Sequence, residues 1–330
     1  MRDATRLAGG EILVVNSGTA EVRIYDDATG ELVRSFGRSG SGPGEFQGPD
    51  WVAVRGDTVF VFDPFQDNGR LSAFDTPGRF ISSSRIALDG PVVFPDDMLD
   101  DGMLIGTRSE GSIGPGEVGY VKYTRATIRF PRDGTRVDTI AVTASGESFR
   151  ERMGNGIAQW GIPFGTAPQL AHHGDRILLG NGDGFIVDVF DVDGRHLRSI
   201  RIDQPETRVT DEMVSRWIEH QLSNPFYEQN PDAAARTRRR LEATPAAATQ
   251  PAYDRLIADD AGRVWVRVYA RPWDSTSTWN VLDADGRWLE QVRLPGDLDV
   301  VEIGADYVLG TATDDLGVEY VRLHRIETRR

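Results

Sequence analysis

An all-β fold of repeated antiparallel sheets is predicted by three features of the sequence: recurring tight corners with glycine, β-rich segments on both sides of each, and their repetition along the chain. The corners are Tyr25-Asp26-Asp27-Ala28-Thr29-Gly30, Phe74-Asp75-Thr76-Pro77-Gly78, Phe130-Pro131-Arg132-Asp133-Gly134, Phe190-Asp191-Val192-Asp193-Gly194 and Leu282-Asp283-Ala284-Asp285-Gly286. Each needs glycine where the backbone takes positive φ and aspartate where a short side chain can bond the turn's own amides. Repetition at this scale implies stacked supersecondary units sharing one architecture.

The first unit reads as strands at 5–8, 12–15, 21–25 and 31–36, β-branched or aromatic and separated by turn residues. The second repeats the pattern at 51–54, 58–62, 69–74 and 79–81. A third copy is expected over 92–142, a fourth over 169–202 and a fifth over 253–294. The sixth, 300–326, shows three strands at 300–303, 307–310 and 319–323. Six small antiparallel sheets in a row predict a six-bladed β-propeller of four-stranded blades, which leaves only short protected edges. The last blade lacks its outer strand, and a strand upstream of Thr5 would supply it. The expectation is therefore a natural N-terminus that is longer, carrying that strand and an export signal.

One segment departs from the β rhythm. Met213, Val214, Trp217, Ile218 and Leu222 share one helical face, with Thr210 as N-cap. A second helix is expected from Asn230-Pro231 to Ala243, with proline at its first position. These form a helical insertion at about 205–250 between blades four and five, so that 1–330 is one propeller domain.

Composition narrows the function classes. With 51 acidic against 37 basic residues the net charge is -14, the wrong field for binding nucleic acid through phosphates. No apolar run approaches the roughly 18 residues of a transmembrane helix. The absence of cysteine removes disulfides, thiolate zinc sites and cysteine nucleophiles. Gly40-Ser41-Gly42-Pro43-Gly44 has neither the following Lys-Ser/Thr nor the helix of a phosphate cradle, and reads as a connector. Arg236-Thr237-Arg238-Arg239-Arg240 reads as a solvated helix surface.

The segment Phe36-Gly37-Arg38-Ser39-Gly40-Ser41-Gly42-Pro43-Gly44-Glu45-Phe46-Gln47-Gly48-Pro49 resembles the blade connector of NHL-repeat proteins, as does Val15-Asn16-Ser17-Gly18 leading to Val22-Arg23-Ile24-Tyr25. Blade two repeats the theme in Val61-Phe62-Asp63 and Arg70-Leu71-Ser72-Ala73-Phe74-Asp75. The chain is thus similar to bacterial six-bladed propellers related to NHL repeats, many of them exported or lipid-anchored. The resemblance implies the fold more strongly than a function, since propellers host binding, lyase and hydrolase activities alike.

It also implies an alternative to binding. Gluconolactonase-like propellers hold a divalent ion in the axial channel with Glu, Asn and Asp of inner strands. The candidates here are Asp50, Asp96, Asp97 and Asp254, with no matching asparagines. Amidating lyases of the NHL class use several histidines, whereas His172, His173, His196, His220 and His324 are scattered. A metal-dependent hydrolase or lyase with calcium or zinc on the axis is that alternative. No Ser-His-Asp arrangement is legible, because such triads are defined by geometry.

Propeller topology places the 143–168 connector, the 203–252 insertion and the 108–118 loop on one face, predicting an elaborated cap over the axial funnel. The main expectation is a monomeric binding module without cofactor, recognising a protein, peptide or glycan on that face. Its candidate ligand-binding residues are Asp50, Trp51, Phe94, Trp160, His172, Trp217, Tyr253, Asp254 and Arg255.

Overall fold

The corners form as their residue types require. In the computed structural model, which describes residues 1–86, 95–110, 118–314 and 316–326, the carboxylates of Asp26, Asp75, Asp133, Asp191 and Asp283 each accept a backbone N–H from their own turn. Gly30, Gly78, Gly134, Gly194 and Gly286 all take positive φ, the left-handed region that a side chain disfavours. Asp259 and Asp314 make two further turns of this kind.

Each of the five corners joins the third strand of a sheet to the fourth. The first sheet holds β1 (Asp3–Leu7), β2 (Glu11–Asn16), β3 (Glu21–Asp26) and β4 (Leu32–Phe36). The second holds β5 (Trp51–Arg55), β6 (Thr58–Asp63), β7 (Arg70–Asp75) and β8 (Phe80–Arg85). The third has five strands: β9 (Pro95–Met98), β10 (Leu104–Glu110), β11 (Gly119–Phe130), β12 (Asp138–Met153) and β13 (Gly156–Gly161). The fourth comprises β14 (Gln169–His173), β15 (Arg176–Gly180), β16 (Ile186–Asp191) and β17 (His196–Arg201). The fifth comprises β18 (Tyr253–Ala258), β19 (Val264–Val268), β20 (Thr276–Leu282) and β21 (Trp288–Pro295). The sixth has three: β22 (Asp299–Ile303), β23 (Tyr307–Thr313) and β24 (Glu319–Arg325). All pairings within the sheets are antiparallel, between neighbours in sequence.

The second strand of a sheet is apolar on both faces, because each face meets a different neighbouring sheet. In β2, Leu13 and Val15 pack with Val22 and Phe36 of the first sheet, Phe74 of the second and Phe46 of the connector between them. Ile12 and Val14 point the other way, towards Tyr307 and Leu309 of the sixth. In β6, Val59 and Val61 face the first sheet while Phe60 and Phe62 face Met98, Leu104 and Phe130 of the third. Ile177 and Leu179 join the third and fourth sheets, and Leu178 and Val266 the fourth and fifth. Trp265, Trp279, Leu298 and Val308 fill the space between the fifth and sixth. Among the described residues six buried cores thus alternate with six sheets, and the one between the last sheet and the first closes a ring. The structure is a β-propeller.

The glycine-rich connector at 37–50 is pinned by its ends. Phe46 is fully buried beside Phe74, and the buried Asp63 carboxylate accepts the N–H groups of Gln47 and Gly48. Between the fourth and fifth sheets come α1 (Asp211–Leu222), α2 (Pro225–Gln229) and α3 (Pro231–Ala243). Thr210 caps α1 by accepting the N–H of Met213, and the apolar face read from the sequence is its less exposed one, with Ile218 buried. The short α2 was not legible. No helix among the described residues is long and apolar enough to cross a membrane.

One sequence expectation needs correction. The stretch 143–168 is not a free connector: β12 runs on to Met153 and β13 pairs back against it. The polar, alternating residues there hid this strand, since they lack the β-branched runs of the other sheets.

Candidate functional site: the axial cavity

The first strands of the six sheets surround a cavity of about 780 Å³. All six contribute to its wall, for example Asp3, Val52, Asp97, His172, Arg255 and Glu302. Each of these strands is a sheet edge with backbone groups left over, which must find partners. Side chains from neighbouring sheets supply them. Asp3 Oδ2 accepts the N–H of Val52 at 2.9 Å, joining β1 to β5. Trp51 Nε1 donates to Pro95 O at 2.8 Å, and Arg55 donates to Leu99 O and Met98 O, joining β5 to β9. Asp97 Oδ2 lies 3.0 Å from His172 Nε2, and Gly174 N donates to Asp100, joining β9 to β14. Arg255 Nη2 donates to Val300 O at 3.1 Å, joining β18 to β22. Glu302 closes the circle, accepting the Thr5 hydroxyl, the Arg6 N–H and the Tyr307 hydroxyl.

Eight carboxylates line the cavity against five arginines, so its wall is net negative. The ion pairs among the described residues that reach the wall are Arg6–Asp27, Arg6–Asp306, Arg55–Asp100 and Arg263–Asp259, with His172 beside Asp97, and none engages Asp3, Asp50, Asp96 or Glu302. Burial pushes the Asp3 carboxyl up to about 7; the Val52 and Ala4 N–H bonds oppose this and the charges of Asp97 and Glu302 add to it. Asp96 opens onto the cavity but is enclosed by protein, and burial raises its pKa too, against a hydrogen bond from Thr107 and the charge of Arg125. Glu302 is likewise raised by burial despite its three donors. Arg125 Nε and His172 Nδ1 are buried without a hydrogen-bond partner.

The residues expected to bind ligand divide into two groups. Asp50, Trp51, His172 and Arg255 line the cavity together. Trp51 does so mainly as scaffold, being 7 % exposed and stacked on Phe62. Tyr253 is buried between the fourth and fifth sheets, donating its hydroxyl to Ile186 O at 2.6 Å. Asp254 lies behind the wall, held by Arg267 Nε at 2.6 Å and by Ala270 N. Trp160 on β13 donates to the Thr244 hydroxyl at 2.8 Å, and Arg240 stacks on its ring, so it fastens the helical insertion. Trp217 sits half-buried on α1. Phe94 lies outside the described residues, as does most of the 108–118 loop.

Two of the expected long segments do meet. Ala247 N donates to Pro163 O, and Trp160 binds Thr244. The helical insertion supplies none of the cavity lining among the described residues, whereas Thr143 and Pro168, at the ends of the other segment, lie in its wall. The lining residues missed in the sequence include Asp3, Arg125, Thr127 and Glu302. Asp3 and Glu302 are brought together only by ring closure, and Arg125 and Thr127 reach the wall from a third strand.

The wall does not hold a ready metal site. Among the described residues no group of three or more His, Asp or Glu side chains is gathered as ligands, and Asp3, Asp97 and Glu302 spend oxygens on strand-joining bonds. Ser199, His196 and Asp188 do meet on the outer face of the fourth sheet, but His196 uses the same Nε2 towards both partners and Ser199 donates to Asp188. A hydrolytic triad needs the two nitrogens of histidine to serve different partners.

No family model matches the chain, and no curated protein matches it in sequence. Solved structures do match in fold. A member of the DUF4221 family from Bacteroides vulgatus is 12 % identical, with 98 % of this chain and 92 % of that chain covered and a TM-score of 0.54. Regucalcin from Agrobacterium tumefaciens, a calcium-binding protein, is 12 % identical over 99 % and 91 % of the two chains with a TM-score of 0.43. The PQQ-bound aldose sugar dehydrogenase of Streptomyces coelicolor is 12 % identical over 98 % and 92 % with a TM-score of 0.46. These neighbours are β-propeller proteins, and likeness at this identity concerns the fold alone.

Proposed function

We propose that this chain is a six-bladed, NHL-like β-propeller of one domain that acts as a monomeric binding module. Its site is the mouth and wall of the axial cavity, where it receives a polar group presented by a protein, peptide or glycan. The observation that carries this reading is the cavity itself: about 780 Å³, walled by polar side chains from all six first strands. Cavities of this size with convergent polar groups are the usual seats of ligands. The metal-dependent alternative lacks a gathered ligand set among the described residues. An extracytoplasmic location belongs to the same proposal and rests on the resemblance to exported NHL-like propellers.

The test is a peptide and glycan array probed with the purified protein, followed by calorimetry on the strongest hit. Arg255→Ala and Asp50→Asn each remove a charged group from the wall and are expected to weaken binding at least tenfold. Deleting 205–250 is expected to leave it within about twofold, because those residues do not line the cavity. Binding that survives both substitutions but vanishes with the deletion would move the site to the helical insertion and overturn the reading.

A further inference from the structure

We propose that the group received in the axial cavity is a positively charged one, a primary ammonium or a guanidinium, seated among Asp3, Asp97 and Glu302 with Asp50 and the Thr127 hydroxyl turned towards it. This rests on the cavity being the binding site. Three independent observations support it.

The first is an excess of negative charge. Elsewhere in the molecule arginines answer carboxylates at close range, as in Arg34–Glu11, Arg267–Asp254 and Arg238–Glu219. On the cavity wall eight carboxylates stand against five arginines, and Asp3, Asp50 and Glu302 make no ion pair among the described residues. A negative cleft with low-dielectric walls concentrates cations.

The second is an acceptor open to the cavity. Thr127 is 3 % exposed and lines the cavity, and its hydroxyl has no hydrogen-bond partner among the described residues. It does not belong to the atoms sealed in protein without a partner, which on this wall are Arg125 Nε and His172 Nδ1, so its oxygen opens onto the cavity. An N–H donor in the cavity would give it a partner.

The third is the mutual placement of the acids. They come from different sheets, on β1, β9 and β22 and from the residue before β5, and Asp3 lies within electrostatic reach of both Asp97 and Glu302. Backbone N–H groups hold the Asp3 oxygens in place, so a cation would meet a fixed set of acceptors. His172, beside Asp97, and His173 face them from β14, and Arg255 faces them from β18 with Asp259 and Asp260 just beyond it; Arg2, Arg6, Arg55, Arg125, Asp96 and Asp100 complete the titratable wall from the first three sheets. Burial, with the charges of Asp97 and Glu302 adding to it, holds the Asp3 carboxyl up at about 7; a bound cation would favour its ionised form, so binding would release protons.

The experiment is isothermal titration at pH 7 with four probes: 1,5-diaminopentane, the capped peptide Gly-Lys-Gly, its norleucine counterpart, and glucose. The ammonium probes are expected to bind and the neutral ones not. Heats that change with buffer ionisation enthalpy would report the proton release. Asp50→Asn, whose side chain makes no bond within the ring, is expected to weaken binding at least tenfold. Asp3→Asn serves as the second variant once its folding is checked by circular dichroism. Binding of the diamine alone would identify a free polyamine as the source of the cation, and binding of the lysine peptide alone a basic segment of a protein. Equal binding of the norleucine peptide, or amine affinity unchanged in both variants, would overturn the inference. If neutral ligands bind and Arg255→Ala abolishes that binding, the cavity stands as the site and only its cation preference falls.

Discussion

Around the axis, neighbouring sheets are joined by carboxylates and guanidinium groups bonded to backbone, whereas the helical insertion meets the sheets through aromatic rings. Asp3, Arg55, Arg255 and Glu302 each reach a backbone group of the next first strand. The insertion rests on Arg240 over Trp160, Arg216 over Trp273, and the buried Ile218 and Leu241. The difference follows from what each element leaves unsatisfied. An edge strand exposes a row of donors and acceptors that must be paired in an enclosed ring. A helix satisfies its own backbone and asks only for a seat for its apolar face. The same polar joints that close the ring line its cavity, so the axial chemistry is a by-product of how the sheets are held together.

The sharpest break of this comparison is expected at Glu302. Glu302→Leu deprives Thr5, Tyr307 and the Arg6 N–H of their acceptor, at a cost of about 3 kcal/mol for several unsatisfied buried donors. The urea midpoint of the whole protein should fall accordingly. Glu302→Gln keeps an acceptor oxygen and removes a buried charge, so its midpoint should stay much closer to the parent.

Trp160→Ala should act locally. It removes the bond to Thr244 and the stacking of Arg240, about 2 kcal/mol of contact between insertion and third sheet. Proteolysis within 205–250 should accelerate while the global urea midpoint stays nearly fixed. A fall as large as that of Glu302→Leu would mean that the insertion is part of the ring's stability, and the contrast would be wrong.

The smallest effect concerns pH. The Asp3 carboxyl is raised from 3.8 to about 7 in the folded protein, so there it keeps a proton that the unfolded chain has lost. Its contribution therefore falls as pH rises from about 4 to about 7, and is constant above that. The raised Asp96 and Glu302 act in the same direction. Between pH 5 and 7 the melting temperature should drop by about a few degrees, and Asp3→Asn should flatten that slope. An unchanged slope in the variant would remove Asp3 as its source.

Much of the fold was legible because its signals are local. An aspartate bonding its own turn and a glycine at positive φ act within a few residues, so Asp26 and Gly30, or Asp283 and Gly286, mark their hairpins without help from the rest of the chain. The apolar run of Ile12, Leu13, Val14 and Val15 marked a strand, and the structure buries it on both faces. The site was legible only in part. Asp50 just before β5, His172 near the end of β14 and Arg255 within β18 line the cavity together. Tyr253 and Asp254, on the same strand as Arg255, were not separable from it, because a strand's alternation says which residues share a face but not which face looks inward.

By itself the sequence determined the repeated hairpins, their order and the position of the helical insertion, since turn chemistry and side-chain alternation are settled between near neighbours. Only the tertiary structure decided that Asp3 and Glu302, at opposite ends of the chain, share one wall with Asp97, Thr127 and His172. That meeting depends on the last sheet packing against the first, Tyr307 and Leu309 against Ala4 and Ile12, and no local pattern encodes the closure of a ring.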